Sequence, residues 1–474
     1  MTRHLAWLAL SAVPGQAWAH AFGEPVQLPM PYGLYIAGSV LALVLSFLLL
    51  SLAGKRVDHA RLQISLPVLS WSPGFAGITA RAAQSFWLGA FLLCIITGLL
   101  GSNDSHRNIN MTFFWILFAL GGAYAALLIG DWYKSQHPWH LLAPRHWQGF
   151  LHYPRWLGHW PAFLQLVVLV SIELFFHSSP RKLALLLMLY GSLTLLGIWL
   201  FGARRWLQRA DVFYSLFGIF AACAPLRGAR RSGGKRVWQL TVPFANLNKL
   251  RLYHPAQCLF VFFLLSSTAY DGLRETQVYF NLFWQDPFGL LTLAFGDHPL
   301  KIYPQVRPWF IAWELLLLLV SPLFYLALFV IFLVLGRMLS GSKQSVALLM
   351  RIHLPSLVPI AVVYHFTHYY TLLFSQGLKI RGLVSDPFGW GWNIFGTAIT
   401  GRIPWLPDMA NIWTSQVALI LLGHVAAVWL AHQQALSLEN TRRKAVLSQL
   451  PMLLLMVIFT STGLWVLAQP LQGA

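Results

Sequence analysis

Long apolar runs separated by short polar segments dominate this chain. About 20 consecutive apolar residues cross the hydrocarbon core of a bilayer as a helix, and ten runs are close to that length or longer. They lie at about 33–54, 84–101, 111–130, 161–178, 183–202, 256–271, 309–336, 354–374, 411–433 and 446–468. The pattern predicts an all-α protein, a polytopic transmembrane helix bundle of about ten spans.

A further apolar run, at 211–225, is shorter and lies between basic stretches. Its length is too small for a membrane-crossing helix. Such a segment is typical of a helix that lies in the membrane interface, and we expect that placement here.

The tetrapeptide Asp-Pro-Phe-Gly occurs twice, at 286–289 and at 386–389, each time after an outward-going helix. Aspartate at the first position of a turn and proline at the next are both favoured, so a turn is predicted at each site. The recurrence fits either a duplicated helix pair or a chance repeat of a turn sequence.

The first 19 residues have the layout of a secretory signal peptide. A short polar start precedes apolar residues 5–13, and Ala17-Trp18-Ala19 fits the small-x-small cleavage rule. Cleavage after Ala19 makes His20 the first residue of a single transmembrane domain, 20–474. The alternative is an uncleaved first helix.

Composition agrees with a membrane protein. The 474 residues are 57% hydrophobic and 10% charged, with a mean hydropathy of +0.61, whereas soluble domains carry about 25% charged residues. The formal net charge of +19 comes from basic loops between apolar runs, so nucleic acid is not an expected partner. The three cysteines are widely spaced and form no CxxC motif, which argues against a disulfide framework or a thiolate metal site.

The distribution of basic residues predicts the orientation. With the mature N-terminus in the periplasm, the cytoplasmic segments are about 55–83, 131–160, 203–255, 337–353 and 434–445, and they hold 23 of the 33 Lys and Arg residues. Positive charge concentrates on the cytoplasmic side of such proteins. We therefore expect a multi-pass protein of a bacterial inner membrane, with a basic cytoplasmic loop at 203–255 and the lipid bilayer as its partner.

Histidines in the eighth and ninth runs are candidates for function, because ionisable side chains inside a membrane are costly and mark functional sites. His365 and His368 are three positions apart, so they share a helix face and can both reach one metal ion. His424 lies near the middle of the ninth run and could approach His365. His432 lies about 12 Å from His424 along that helix, which excludes a shared ion. Hydrogen bonding to neighbouring helices is the structural alternative for the pair.

Acidic residues are predicted at the same depth as the histidine pair. Glu173 and His177 end the fourth run, Asp271 ends the sixth, and Glu314 lies one to two turns inside the seventh. Asp271 alone fits an interfacial helix end, and Glu314 alone fits a partner for an arginine. Together with the two histidines, they fit either a metal shell of nitrogen and oxygen ligands or a proton path.

The predicted mature N-terminus offers one more metal ligand. His20 would present an amine and an imidazole as a chelate, a grouping that suits copper. The alternative is that this histidine merely follows the cleavage site.

Segments at both ends and in the C-terminal half of the chain share a pattern with known membrane proteins. They are 20–23 (His-Ala-Phe-Gly), 267–273, the histidine pair within 364–369, 385–398 and 423–432. In these segments the chain resembles a bacterial membrane-protein family labelled fenitrothion hydrolase. The resemblance implies hydrolysis of an organophosphorus ester, and it supplies no set of ligand residues.

The first functional hypothesis is a membrane-embedded hydrolase. A divalent metal, zinc or copper, held by His365, His368 and either His424 or Glu314, would activate a water that attacks phosphorus and expels a phenolate. Glu314 or Asp271 would be the general base. The substrate would be a lipophilic small molecule that arrives from the bilayer.

Two alternatives remain open at this point. Copper or another metal ion could be transported or delivered, with His20 capturing the ion and histidines at several depths passing it inward. The protein could also be a haem b electron carrier, for which His365 and His424 are the only good pair on facing helices. No HxH or HExxH motif is present to favour the hydrolase over these two.

Overall fold

The structure of the protein is a computed structural model. It describes residues 31–53, 63–71, 73–143, 147–176, 178–230, 236–399, 401 and 405–472. The predicted signal peptide, 1–19, and the candidate ligand His20 lie outside the described residues, as does His177. Cleavage and the N-terminal chelate therefore stay predictions.

Helices make up most of the described chain. In its first half they are α1 (Tyr32–Ala53), α2 (Pro73–Leu100), α3 (Ile109–Ile129), α4 (Tyr133–Gln136), α5 (Trp160–Phe175), α6 (Pro180–Phe201), α7 (Ala203–Ala210) and α8 (Val212–Ala222). In its second half they are α9 (Pro255–Arg274), α10 (Gln277–Trp284), α11 (Leu290–Phe295), α12 (Tyr303–Ser340), α13 (Val346–His353), α14 (Val358–Ser375), α15 (Ile380–Leu383), α16 (Met409–Leu438) and α17 (Arg442–Gln472). Single 3₁₀ turns lie at Pro138–His140, Ala245–Lys249, Leu354–Leu357 and Gly377–Lys379. The prediction of a mainly helical bundle is confirmed.

Nine helical stretches in the described residues are long and apolar enough to cross a membrane. They coincide with nine of the ten predicted spans. The tenth prediction, at 161–178, coincides with α5, which has 16 residues. At 1.5 Å per residue α5 is about 24 Å long, shorter than a hydrocarbon core of about 30 Å.

The most enclosed of the nine is α9, which packs against α5, α12, α14 and α17. Three consecutive residues at its centre, Val261, Phe262 and Phe263, are completely buried. A helix that is apolar on all sides belongs in the middle of a bundle. The polar side chains at buried positions of α9, such as Ser266 and Asp271, therefore face other helices and not lipid.

Hydrogen bonds between connecting segments define the two ends of the bundle. At one end Ser102 N donates to Phe388 O at 2.7 Å, and Arg181 N donates to Asn103 Oδ1 at 3.3 Å. We call this the loop end; it carries residues 101–108, 178–179, 275–302 and 376–399. We call the opposite end the sheet end; it carries residues 130–132, 158–159 and 223–254 together with a small β-sheet.

The sheet has three antiparallel strands in the order β1 (Gln63–Trp71), β3 (Arg236–Thr241), β2 (Leu226–Arg230). The all-α prediction missed it, and the predicted basic loop at 203–255 is in fact folded into two helices and two strands. β1 and β3 pair across more than 160 residues of sequence, with Gln63 opposite Thr241. Such long-range pairing leaves no local periodicity for a sequence pattern to show.

The predicted interfacial helix at 211–225 is wrong. The corresponding helix, α8, lies inside the bundle, and its Phe217 and Phe220 are completely buried. Phe213 lies 4.8 Å from Phe118 of α3 between ring centroids, and Phe220 lies 6.2 Å from Tyr124 of the same helix. Buried residues lie around most of α8, among them Val212, Phe217, Ala221 and Ala222, whereas an interface covers only one side.

Both Asp-Pro-Phe-Gly segments form turns, as predicted. Gly289 N donates to Asp286 O at 2.9 Å, and Gly389 N donates to Asp386 O at 3.2 Å. Each aspartate side chain accepts two further backbone N–H groups, from Leu291 and Thr292 in the first turn and from Trp390 and Gly391 in the second. The carboxylates hold these two turns in the same way.

Candidate functional site

A group of buried polar side chains lies between α9 and its neighbours near the loop end. Asp271 on α9, Glu314 on α12 and His368 on α14 are each about 5% exposed. Asp271 lies three residues before α9 ends at Arg274, about 4–5 Å along the axis. Thr276 accepts Tyr279 N and begins α10 directly afterwards, which holds the last turn of α9 in place.

His368 and Asp271 are in direct contact. His368 Nε2 lies 3.0 Å from Asp271 Oδ2, and the hydroxyl of Tyr369 donates to the same oxygen at 2.7 Å. A carboxylate that accepts one imidazole N–H fixes the tautomer and orientation of the ring. Nδ1 of a neutral His368 is then the nitrogen that takes up a proton.

Arg274 joins Glu314 to this pair. Its Nε lies 3.3 Å from Glu314 Oε1, and its Nη1 lies 3.9 Å from Asp271 Oδ1. Nη1 also donates to Leu174 O, at the end of α5, at 3.0 Å. One guanidinium therefore ties together α5, α9 and α12 and places a positive charge between two carboxylates.

Carboxylates outnumber cations around Asp271. Asp271 and Glu314 face the one guanidinium of Arg274, and Glu173 and Glu275 interact electrostatically with Asp271 and Arg274 as well. Uncompensated charge inside a low-dielectric bundle is costly. The arrangement is therefore suited to accepting and releasing a proton.

The second histidine of the predicted pair has different partners. His365 Nδ1 lies 3.3 Å from the hydroxyl of Tyr124, which donates to His365 O at 3.1 Å. The His365 ring lies 5.5 Å from that of Phe220 and 4.9 Å from that of Tyr369. His365 thus faces α3 and α8, and His368 faces α9.

His424 is buried on α16 and makes its hydrogen bond within its own helix. Its Nδ1 donates to Ile420 O, one turn earlier, at 2.9 Å. Glu173, which sequence analysis placed at the same depth as the pair, is exposed on α5 and interacts electrostatically with Asp271 and Arg274. Of the predicted site residues, the structure brings Asp271 and His368 together and joins Glu314 to them through Arg274.

Nowhere in the described ranges do three or more His, Cys, Asp or Glu side chains form a group that could hold a metal ion. His368 and His365 already face a carboxylate and a phenol. We therefore derive no metal-assisted step from the described residues, and the predicted ligation by His365, His368, His424 and His20 stays a prediction.

Sequence analysis missed two participants in this cluster, Arg274 and Tyr369, and it also missed Tyr124, the partner of His365. Arg274 could have been found from its position three residues after Asp271, which places both on one helix face. Tyr369 follows His368 directly, but its direction toward α9 depends on the packing of α14. Nothing in the sequence around Tyr124 connects it to His365.

No family model, curated protein or solved structure matches this chain. The fold and the site by themselves define its class. It is a multi-pass α-helical membrane protein. Between its helices lies a buried cluster of acid and base side chains built around His368 and Asp271.

Proposed function

We propose that the protein is a membrane-embedded hydrolase of a lipophilic ester and that His368 is its general base. The observation that carries the proposal is the contact of His368 with Asp271, reinforced by the Tyr369 hydroxyl. An imidazole oriented by a buried carboxylate is a common device for removing a proton from water or a hydroxyl. The resemblance to fenitrothion hydrolases adds an organophosphorus ester as the class of substrate.

The proposed step balances without a further reactant. His368 Nδ1 takes a proton from a water molecule as the water oxygen forms a bond to phosphorus. The bond from phosphorus to the aryl oxygen breaks, and the phenolate leaves with the electron pair. The imidazolium is stabilised by Asp271, and its proton passes to the leaving group or to solvent. The products are a phosphodiester and a phenol.

Arg274 and Glu314 are positioning residues in this proposal. Arg274 donates hydrogen bonds to Glu314 and to the backbone of Leu174. It therefore places a fixed positive charge beside the Asp271 carboxylate.

The test is turnover of a chromogenic aryl dialkyl phosphorothioate by purified protein in detergent or nanodiscs. His368→Gln and Asp271→Asn should each lower kcat by about 10²- to 10⁴-fold, the contribution of a positioned base. His432→Gln is the matched control, because His432 is also buried and bonds Gln449 but belongs to another part of the bundle. Unchanged kcat in a folded His368→Gln protein would refute the proposal.

Metal analysis of the same samples tests the metal-assisted version of the hydrolase mechanism. If His365 and His368 were co-ligands, either alanine variant would lose bound metal and turnover together, and the double variant would lose little more. His432→Ala should keep both. Full turnover by metal-depleted protein would support the base mechanism. Copper bound without turnover would favour transport, and a Soret band would favour the haem carrier.

A further inference from the structure

A second polar group lies where two segments enter the bundle from the sheet end and return. The first segment runs from Trp132 to His140. Trp132 Nε1 donates to Gly122 O of α3 at 2.9 Å, and Gln84 Nε2 of α2 donates to Ser135 O at 2.8 Å. The rings of Trp139 and Phe91 are 5.1 Å apart. This segment therefore lies alongside the middle of α2.

The second segment consists of α7 and α8, joined at Asp211. The hydroxyl of Tyr190 donates to Asp211 Oδ2 at 2.5 Å, and Tyr190 is halfway along α6. The α7–α8 junction is therefore near the middle of the bundle. Non-helical backbone at such depth is tolerated only where protein covers it or it lines a cavity, and interrupted helices often mark sites for ions.

The tips of the two segments meet. His137 Nε2 lies 3.7 Å from Asp211 Oδ2, and both side chains are completely buried. Asp211 caps α8 by accepting Tyr214 N at 2.6 Å. Among the described residues, neither ring nitrogen of His137 has a hydrogen-bond partner. Buried polar atoms are nearly always satisfied, so this imidazole requires an explanation.

A cavity of about 30 Å³ lies behind Tyr133, Pro138 and Tyr190, which neighbour this pair, and neither His137 nor Asp211 lines it. That volume is enough for one or two water molecules, since one water needs about 10–15 Å³ measured in this way. Tyr133, Trp139, Tyr190 and Phe213 are among its walls, and Trp139 Nε1 is buried without a partner in the described residues. The π-helical part of α3, Thr112–Leu120, forms another wall. π-helical turns are frequent at functional sites.

We propose that His137 and Asp211 form a second proton-binding site, separate from the one at His368. Proton uptake converts His137 to an imidazolium that faces the Asp211 carboxylate, and the pair then carries no net charge. Release returns the proton to water and leaves the carboxylate held by Tyr190 and Tyr214 N.

Titratable and polar groups from every neighbouring element surround this pair. The segment 131–140 contributes Asp131, Tyr133, Lys134 and His140; α2 contributes Cys94, α5 Gln165, α6 Tyr190 and α8 Tyr214. Tyr133 stacks on His137 at 4.4 Å between ring centroids, and His140 lies 5.5 Å away.

The experiment is infrared difference spectroscopy of the full-length protein in nanodiscs between about pH 5 and pH 8, in H₂O and in D₂O. Wild type should show imidazole and carboxylate bands that titrate together. His137→Gln and Asp211→Asn should each remove that component, whereas Asp271→Asn should leave it and remove only the component from the other site. Bands unaffected by His137→Gln and Asp211→Asn in folded protein would overturn the proposal.

Tyr190→Phe is a milder substitution that tests the same proposal if His137→Gln and Asp211→Asn do not fold. It removes one hydrogen bond to the Asp211 carboxylate, so the carboxylate band should shift in frequency while the imidazole and carboxylate bands still change together. An unchanged carboxylate band would overturn the proposal. A metal bound at one equivalent and lost in Tyr190→Phe would also overturn it, because the pair would then be a metal site.

Discussion

His368 and Asp271 are 97 positions apart in the chain and lie 3.0 Å apart, from Nε2 to Oδ2. Tyr369, the next residue along α14, donates to the same carboxylate oxygen. The three side chains can form one acid–base unit because α14 packs directly on the outermost turns of α9. The contact is therefore a property of helix packing, and its consequences can be measured.

Tyr369→Phe should weaken this unit without destroying it. The substitution removes a hydrogen bond to a charged acceptor and leaves the ring, so we expect kcat for ester hydrolysis to fall about tenfold. Tyr370→Phe is the matched control, because Tyr370 bonds Ser415 on α16 at 2.7 Å and points away from Asp271. Equal loss in both variants would mean that the effect comes from helix packing.

Arg274→Met should destabilise the protein strongly. It leaves the buried Glu314 and Asp271 without their cation, and removing one partner of a buried pair costs about 3–5 kcal/mol. The double variant Arg274→Met/Glu314→Gln removes one charge of each sign and should regain much of that loss. Unfolding in detergent by denaturant measures both. A double variant no more stable than Arg274→Met would show that the pair is not energetically coupled.

The two Asp-Pro-Phe-Gly turns allow a matched comparison. Asp386→Asn should lower the free energy of unfolding by about 1–3 kcal/mol, because a buried carboxylate oxygen that accepts a backbone N–H is lost. Asp286→Asn should cost less, since Asp286 is more exposed than Asp386. Turnover of the folded protein should be unchanged in both. If Asp386→Asn expressed and melted normally but lost activity, its role as a turn residue would be wrong.

Stability should fall as the pH is lowered from about 6.5 to about 4 because of His159. Burial, with His254 and Arg209 nearby, lowers the pKa of His159 from 6.5 to about 4. The unfolded chain binds this proton at higher pH than the folded protein, so the contribution is complete above 6.5 and is lost toward 4. His159→Gln should flatten the dependence of the unfolding midpoint on pH, and His106→Gln, at an exposed position, should leave it unchanged.

The sheet end should be cytoplasmic. It carries the most basic stretch of the chain, 203–255, and positive charge is retained on that side of the membrane. A reporter inserted within 231–235 should be active only in its cytosolic form, and one inserted in 297–301 only in its periplasmic form. The reverse pattern would invert the orientation of every span.

Several features of the site were predictable and others were not. The presence of Asp271, Glu314 and His368 at one depth follows from their positions in apolar runs, because helix rise per residue is constant. That Asp271 pairs with His368, and not with His365, is not predictable in this way. It depends on which face of α14 meets α9, and the spacing of i and i+3 residues is compatible with either partner.

The sequence by itself determined that the chain is a bundle of apolar helices and where nine of them run. The length of an apolar run is a local property, and the thickness of the hydrocarbon core sets the length that a spanning helix needs. Tertiary structure alone decided that α8 is buried, that β1 pairs with β3, and that His137 meets Asp211. Each of these depends on contacts between segments far apart in the chain. Such contacts are selected by the packing of whole surfaces, and a single stretch of sequence holds only one of the two surfaces that pack.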